Sequence, residues 1–158
     1  ALLRRLEQGE LDFVVLEGVF NKARYDSFLL RNEPYIGICP PGHPLDGQTV
    51  SPEALLGQRL ILREEGSGTR DLLERSLAQC GYTVGAFSGT VCVSSFKIIR
   101  ELVCAGYGIS FVYAAVAADL PAPGRFFCPP LTGSHELNAV WLKGTDAGAL
   151  ARAFVAGL

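Results

Sequence analysis

The sequence predicts an α/β protein that is divided into two lobes. Apolar segments typical of strands alternate with amphipathic helical segments along all 158 residues, which favours mostly parallel sheets. A second group of strands begins at Leu60, and the last strand and helix have no sheet partner nearby in the sequence. We therefore expect lobe I to cover residues 1–60, lobe II residues 61–129, and residues 130–158 to return to lobe I. Such proteins bind a ligand in the cleft between the lobes and close over it by hinge motion.

Lobe I is predicted to begin with a helix followed by a buried strand. Leu2, Leu3 and Leu6 share one helical face, and Gly9 ends that helix. The apolar run over 11–16 then predicts a buried strand.

The remainder of lobe I contains two strands, a proline-rich loop and a short helix. The strands are expected over 28–30 and 35–39, with a polar step between them. Three prolines over 40–45 predict a loop, because proline lacks the N–H that a strand donates. His43 lies in this loop and has no partner for metal binding or catalysis nearby in the sequence. Ser51 and the proline after it predict a capped helix start.

Lobe II is predicted to contain two helices between short strands. Residues 82–93 are rich in β-forming residues and contain two glycines, which indicates one bent strand or two short ones. A helix opens at Ser94, and Ile98 with Leu102 lies on its inward stripe. The run over 109–113 predicts another buried strand.

The end of the chain is predicted to return to the first sheet. Residues 114–118 indicate a helical turn, and the four prolines over 120–130 predict a connection. A strand over 137–142 and an amphipathic helix over 147–158 close the chain.

A strand, a turn and a helix start over 60–71 provide the clearest candidate for a binding site. The apolar strand 60–62 ends in a Gly/Ser turn, where Gly66 allows a tight turn and Ser67 or Thr69 can cap the next helix. Open N–H groups at a helix start favour an anion, and Arg70 adds a cation. The competing interpretation is an ordinary capped helix with a surface arginine.

Composition narrows the class of protein. With 49% hydrophobic and 19% charged residues, the chain is expected to pack as a globular protein. The net charge of −2 provides no basic field for nucleic acid. No apolar run approaches the ~18 residues of a membrane span, so no membrane contact is expected. The five cysteines contain no C-x-x-C pair, which argues against a metal site or a disulfide framework. We interpret them as reduced and mostly buried, as in a cytoplasmic protein, while one disulfide between an odd pair stays open.

The first residues predict that the chain is a fragment of a longer protein. It begins at Ala1, contains no methionine, and has the pattern of a helix interior over 1–8. We expect a preceding strand to be missing from lobe I.

Four segments together resemble the effector-binding domain of LysR-type transcriptional regulators. They are GELDFVV (9–15), HPL (43–45), LREEGSGTR (62–70) and VCAGYGISF (103–111). The resemblance implies a fold like the type II periplasmic binding proteins, and a small, often anionic effector between the lobes. It also implies an N-terminal winged helix-turn-helix that binds DNA, absent from this chain, and assembly into dimers and tetramers. No cofactor is implied.

The resemblance also implies which residues face the effector. The Ser67-Gly68-Thr69 turn and Arg70 match the cleft-facing loop of the second lobe, and Ser94 with Ser95 matches the start of the next helix. Gly18 matches the end of a strand that faces the cleft from the first lobe. Tyr113 stands where many members have proline, and its hydroxyl can reach into the cleft or cover the edge of the core.

Two other classes of protein compete with this interpretation. A solute-binding protein of a transporter has the same fold, but the cysteine content argues against an oxidising compartment. An enzyme needs a nucleophile with a base, or paired carboxylates. Glu64 and Glu65 are adjacent, and neighbouring residues on a strand point to opposite faces. We therefore expect no catalytic residues.

Overall fold

The computed structural model describes residues 2–17 and 20–157, in which helices alternate with strands. The strands are β1 (Val14–Glu17), β2 (Tyr25–Cys39), β3 (Arg59–Leu62), β4 (Gly89–Cys92), β5 (Ser110–Tyr113), β6 (Gly124–Phe126) and β7 (Gly133–Leu142). The α-helices are α1 (Leu2–Glu7), α2 (Gly68–Gln79), α3 (Phe96–Cys104) and α4 (Ala147–Ala156). Short 3-10 turns cover Pro52–Leu55, Val84–Ala86 and Ala114–Ala117. No helix within the described ranges is long and apolar enough to cross a membrane.

The chain forms two compact units. The terminal unit contains the residues up to Glu33 and those from His135 onward, and the central unit is Pro34–Ser134. These divisions differ from the expected ones at 60/61 and 129/130. The reason is that residues after Glu33 already belong to the central unit, since Leu45 and Leu55 pack with Leu60 in its core.

The terminal unit is built on antiparallel strands. β1 pairs with β7, with Val14 opposite Val140 and Glu17 opposite Leu137, and β7 also neighbours β2. The two strands expected over 28–30 and 35–39 form one continuous strand, β2. Pro34 lacks the backbone N–H that other residues of a strand donate, but it is exposed, so this missing donor is tolerated.

Two apolar clusters hold the terminal unit together. Leu6 of the predicted first helix is buried with Tyr25 and Val140. The second cluster places Trp141 against Phe28, with ring centroids 5.9 Å apart, on the side covered by α4. The predicted closing helix therefore exists, and it ends at Ala156.

The central unit combines antiparallel and parallel pairing. The end of β2 pairs antiparallel with β5 and with β6, which lies in the segment expected to be a plain connection. The expectation of mostly parallel sheets is therefore wrong for these strands. Phe126 is fully buried against Gly37, where any side chain would collide with its ring.

A short parallel sheet carries the predicted site. β3 pairs with β4 so that Leu62 lies opposite Cys92, and a parallel bridge joins Leu60 to Ile109. Residues 82–93 form a 3-10 turn and only one short strand, β4. Two buried clusters in this unit pack β3 against the helices, one through Leu73 of α2 and the other through Ile99 of α3.

Candidate functional site

Three strands of the central unit run in the same direction and end near one another. β3 and β4 are parallel, and the N–H of Val93 extends their ladder by donating to the carbonyl of Leu62 over 2.9 Å. The bridge between Leu60 and Ile109 gives β5 the same direction. We call the segments that follow Leu62, Cys92 and Tyr113 the carboxyl edge. Ligands of open α/β sheets bind at such an edge.

The Gly/Ser turn lies at this edge as the sequence predicts. Gly66 has φ +84°, and Ser67 is the N-cap residue of α2, although its side chain makes no capping bond. Instead, its hydroxyl oxygen lies 3.0 Å from the hydroxyl of Thr69. The first helical bond runs from the N–H of Asp71 to the carbonyl of Ser67, so the N–H groups of residues 68–70 precede the helical ladder.

Tyr35 supports this turn through a hydrogen bond to its backbone. Its buried hydroxyl donates to the carbonyl of Thr69 over 3.1 Å. A cavity of about 10 Å³ beside the two residues is large enough for about one water molecule. Thr69 is itself buried, which indicates that it positions the turn rather than reaching outward.

Arg70 crosses the ends of β3 and β4 instead of pointing to solvent. Its Nε donates to Glu74 over 2.8 Å, and its Nη1 donates to the carbonyl of Arg63 over 3.3 Å. A second carboxylate, of Glu65, lies 3.5 Å from Nη2. The hydrogen bond to Glu74 raises the pKa of Arg70. The guanidinium predicted to meet an anion is therefore already balanced by two carboxylates.

Arg63 connects the turn to the start of α3. Its guanidinium binds both oxygens of Glu64, over 2.7 and 2.9 Å, and lies 4.4 Å above the ring of Phe96. This hydrogen bonding lowers the pKa of Glu64 to about 2. Glu64 and Glu65 thus pair with different arginines, which is not the arrangement of a catalytic carboxylate pair.

The start of α3 contributes the second predicted group of residues. Ser95 is the N-cap, and its hydroxyl accepts a bond from the N–H of Ile98 over 3.5 Å. Ser94 is exposed one residue earlier. Lys97 is exposed in the first turn, where a cation adds to the positive end of the helix dipole.

The other residues singled out in the sequence are Tyr113, Gly18 and His43. Tyr113 ends β5, and its ring packs edge-on against Tyr35 with centroids 5.4 Å apart, which places the ring at the edge of the core. Gly18 lies outside the described residues. His43 is a loop residue as predicted, and its Nδ1 accepts a bond from the N–H of Leu45.

Sequence reasoning missed Cys92, whose thiol is exposed at the carboxyl edge. Its sulfur lies 3.5 Å from the carbonyl of Arg63 and 3.9 Å from Nη1 of Arg70. The signal in the sequence was its place at the end of a strand, two residues before Ser94. All five cysteines are free thiols, but Cys39 and Cys128 are the two that are buried. Burial raises the pKa of each of these two thiols to about 11.

We expect Cys92 to be the first cysteine to react with iodoacetamide at pH 8. Alkylation requires that the reagent reach the sulfur and that the thiol be deprotonated. Burial shields Cys39 and Cys128 from the reagent and raises the pKa of both thiols. Peptide mass spectrometry after short exposures measures the order of labelling. The C92S variant should lose the fast adduct. Fast labelling of Cys39 or Cys128 would contradict the packing described above.

A cavity of about 370 Å³ lies within the terminal unit and is lined mainly by apolar side chains such as Leu6, Leu11 and Leu150. Among the described residues, no group of three or more His, Cys, Asp and Glu side chains is placed to hold a metal ion.

Comparison with known proteins identifies the family. The family model described as the LysR substrate binding domain matches residues 1–158. The chain belongs to this family. Its resemblance to the effector-binding domain of LysR-type regulators is thereby confirmed, and effector sensing is favoured over the transporter alternative.

Curated relatives of this LysR substrate binding domain are named as transcriptional regulators. An uncharacterized HTH-type transcriptional regulator, MJ0300 of Methanocaldococcus jannaschii, is 30% identical over 120 residues, which are 75% of this chain and 38% of that protein. CbbR of Cereibacter sphaeroides is 32% identical over 119 residues, again 75% and 38%. The RuBisCO operon transcriptional regulator of Allochromatium vinosum is 27% identical over 113 residues, which are 71% and 36%. The chain thus spans little more than a third of each of these relatives.

Solved structures share the fold of this LysR substrate binding domain. The CcmR regulatory domain of Synechocystis PCC6803, solved in complex with 2-PG, superimposes with a TM-score of 0.82 at 17% identity and covers 98% of this chain and 77% of that one. The effector binding domain of QuiR in complex with shikimate has a TM-score of 0.73 at 17% identity, with coverage of 98% and 74%. The predicted fold class, α/β and like the type II periplasmic binding proteins, is confirmed.

Proposed function

We propose that this LysR substrate binding domain senses a small anionic metabolite at the carboxyl edge of its central unit. The observation that carries the proposal is the convergence of two helix starts, at Ser67 and Ser95, on neighbouring ends of a parallel strand pair. N–H groups at a helix start bind anions, because they lack partners within the helix and lie at the positive end of its dipole.

Each predicted residue has a distinct role in this proposal. The hydroxyls of Ser67 and Ser94 and the N–H groups of Gly68 and Thr69 donate to the ligand's anionic oxygens. Lys97 adds positive potential from the first turn of α3. Ser95 caps α3. Arg70 and Tyr113 each contribute part of their side-chain surface to the carboxyl edge.

The ligands of structural relatives suggest the probes. CcmR and QuiR were solved with 2-PG and shikimate, respectively. We infer that this chain recognises a ligand of similar size with at least one acidic group. Candidates can be screened by the rise in unfolding temperature that a ligand produces when it binds only the folded state.

The proposed role is sensing rather than catalysis. In the full-length protein, the ligand would favour one arrangement of a dimer or tetramer and bias a DNA-binding domain outside this chain. The relatives named as HTH-type transcriptional regulators support this role. A transcription regulator of this kind would act in the cytoplasm.

The double variant Ser67→Ala, Ser94→Ala tests the assignment. Each hydroxyl bonded to a charged group contributes roughly 1.5 kcal/mol, so we expect affinity for the bound probe to fall by about a hundredfold. Calorimetric titration with 2-PG and shikimate measures it. A matched control, Ser76→Ala with Ser88→Ala, removes two hydroxyls of the central unit that the proposal places outside the site. Unchanged affinity in the first variant would defeat the site assignment.

A further inference from the structure

The carboxylate of Glu65 covers one side of the Arg70 guanidinium. Oε1 of Glu65 lies 3.5 Å from Nη2 of Arg70. The Glu65 side chain is 89% exposed, whereas that of Arg70 is 14% exposed. The partly buried cation is therefore paired with a carboxylate that is itself almost entirely exposed to solvent.

The nitrogens of Arg70 differ in how firmly their partners are held. Nε is bound by Glu74, which lies one turn further along α2, and Nη1 is bound by the carbonyl of Arg63 at the end of β3. Both partners are attached to regular structure. Nη2 instead faces Glu65, which precedes the left-handed Gly66 in the turn. A ligand can therefore bind Nη2 of the guanidinium without disturbing α2.

The pair between Glu65 and Nη2 is easily replaced. Ion pairs with such an exposed partner contribute little to stability, because water screens the attraction and the side chain loses freedom when it is held. A compact anion with several oxygens binds a guanidinium more strongly, since it can accept two bonds in the geometry of the fork. Glu65 is only two residues from Ser67, so the same turn carries the carboxylate and the proposed ligand contact.

We propose that Glu65 is an internal counter-ion that occupies the anion position at Arg70 until the effector displaces it. This inference rests on the proposed function, because it describes the regulation of that same edge. Glu65 is then a specificity-determining residue. It disfavours weakly charged ligands by competing with them, and it admits ligands whose anionic group binds Nη2 better than a single carboxylate oxygen does.

The Glu65→Gln variant tests this role with inorganic phosphate and 2-PG as probes. Removal of the competing charge should lower the Kd for each probe by about threefold to tenfold, as expected for unit charges a few ångströms apart when water screens their attraction. Protection of Cys92 from iodoacetamide and the rise in unfolding temperature provide two readouts. Ionic strength is held constant with chloride, so that screening does not change.

Two further variants complete the test. Glu101→Gln removes an exposed carboxylate of α3 and should leave the response to both probes unchanged. In the Arg70→Gln background, Glu65→Gln should have no further effect, because the two residues act through one contact.

The outcomes separate this inference from the proposed function. An equal response of wild type and Glu65→Gln, including no response in either, overturns the counter-ion role. An effect of Glu65→Gln that persists without Arg70 overturns it as well. If the Ser67→Ala, Ser94→Ala variant loses affinity while Glu65→Gln behaves as wild type, the proposed function survives and only the counter-ion role fails.

Discussion

Replacing Phe126 by alanine is expected to lower the free energy of unfolding by about 3–5 kcal/mol. The Phe126 ring is fully buried and packs edge-on against Phe111, with centroids 5.6 Å apart. Its removal forfeits the burial of the ring and leaves a cavity over Gly37 and beside Phe111 that the surrounding strands cannot close. Urea unfolding followed by circular dichroism measures the loss. The control is Phe127→Ala, which removes a neighbouring ring that is half exposed and should cost about 1 kcal/mol or less.

The contact of Phe126 with Gly37 gives this prediction a second test. A Cβ on Gly37 would lie 2.3 Å from the Phe126 ring, so Gly37→Ala should cost about 3 kcal/mol by overpacking. In the Phe126→Ala background, the same substitution no longer meets the ring and should cost far less. Additive costs in the double variant would show that the ring does not lie over Gly37.

Replacing Gly108 by alanine should cost about 3 kcal/mol or more, and no companion substitution should restore the loss. A Cβ there would lie 2.4 Å from the backbone carbonyl oxygen of Arg59. That oxygen accepts the N–H of Ile109 over 2.9 Å, and the carbonyl of Ile109 accepts the N–H of Ile61 over 2.8 Å. The clash therefore separates β3 from the segment leading into β5, and both bonds are lost with it.

Urea unfolding of Gly108→Ala against Gly57→Ala provides the comparison. Gly57 is in the same unit, and nothing lies within 4 Å of the position that a Cβ would take there, so its substitution should change stability by less than about 1 kcal/mol. Because Gly108 supports the strand pair below the carboxyl edge, its variant should also bind the probes less well. A Gly108→Ala protein as stable as wild type would contradict the bridge between Leu60 and Ile109.

Local pattern was enough to predict most of the helices and several strands. The starts of α2 and α3 were expected within two residues, because glycine, serine and the apolar stripe act over one or two turns. The pairing of β2 with β5 and β6 was not predicted, because these strands meet across some 70 to 90 residues of sequence. Gly124-Arg125-Phe126 has too few residues to show a strand period, and the prolines around it favour a loop.

The positions of the candidate residues along the strands and helices were predicted, but their contacts were not. The turn 66–69 and the serines before α3 lie at one edge because each follows a parallel strand, and this order is visible in the sequence. The pairing of Arg70 with Glu65 and Glu74 is not visible in the sequence, since a side chain's direction depends on the turn that carries it. Cys92 and Tyr35 were missed for a related reason: their roles come from contacts with Arg63 and Thr69, which are distant in sequence.

The division of the chain into two units has a consequence for the order in which they can form. The central unit is one uninterrupted segment, Pro34–Ser134, whereas the terminal unit combines residues from both sides of it. Every contact of the central unit is therefore available as soon as residue 134 has left the ribosome. β1 must wait for β7, and bringing them together closes a loop that contains the whole central unit. Prior folding of that segment shortens the effective loop and lowers the entropy cost of closing it. The unit that carries the proposed sensor can thus be in place before the unit whose strands come from both sides of it.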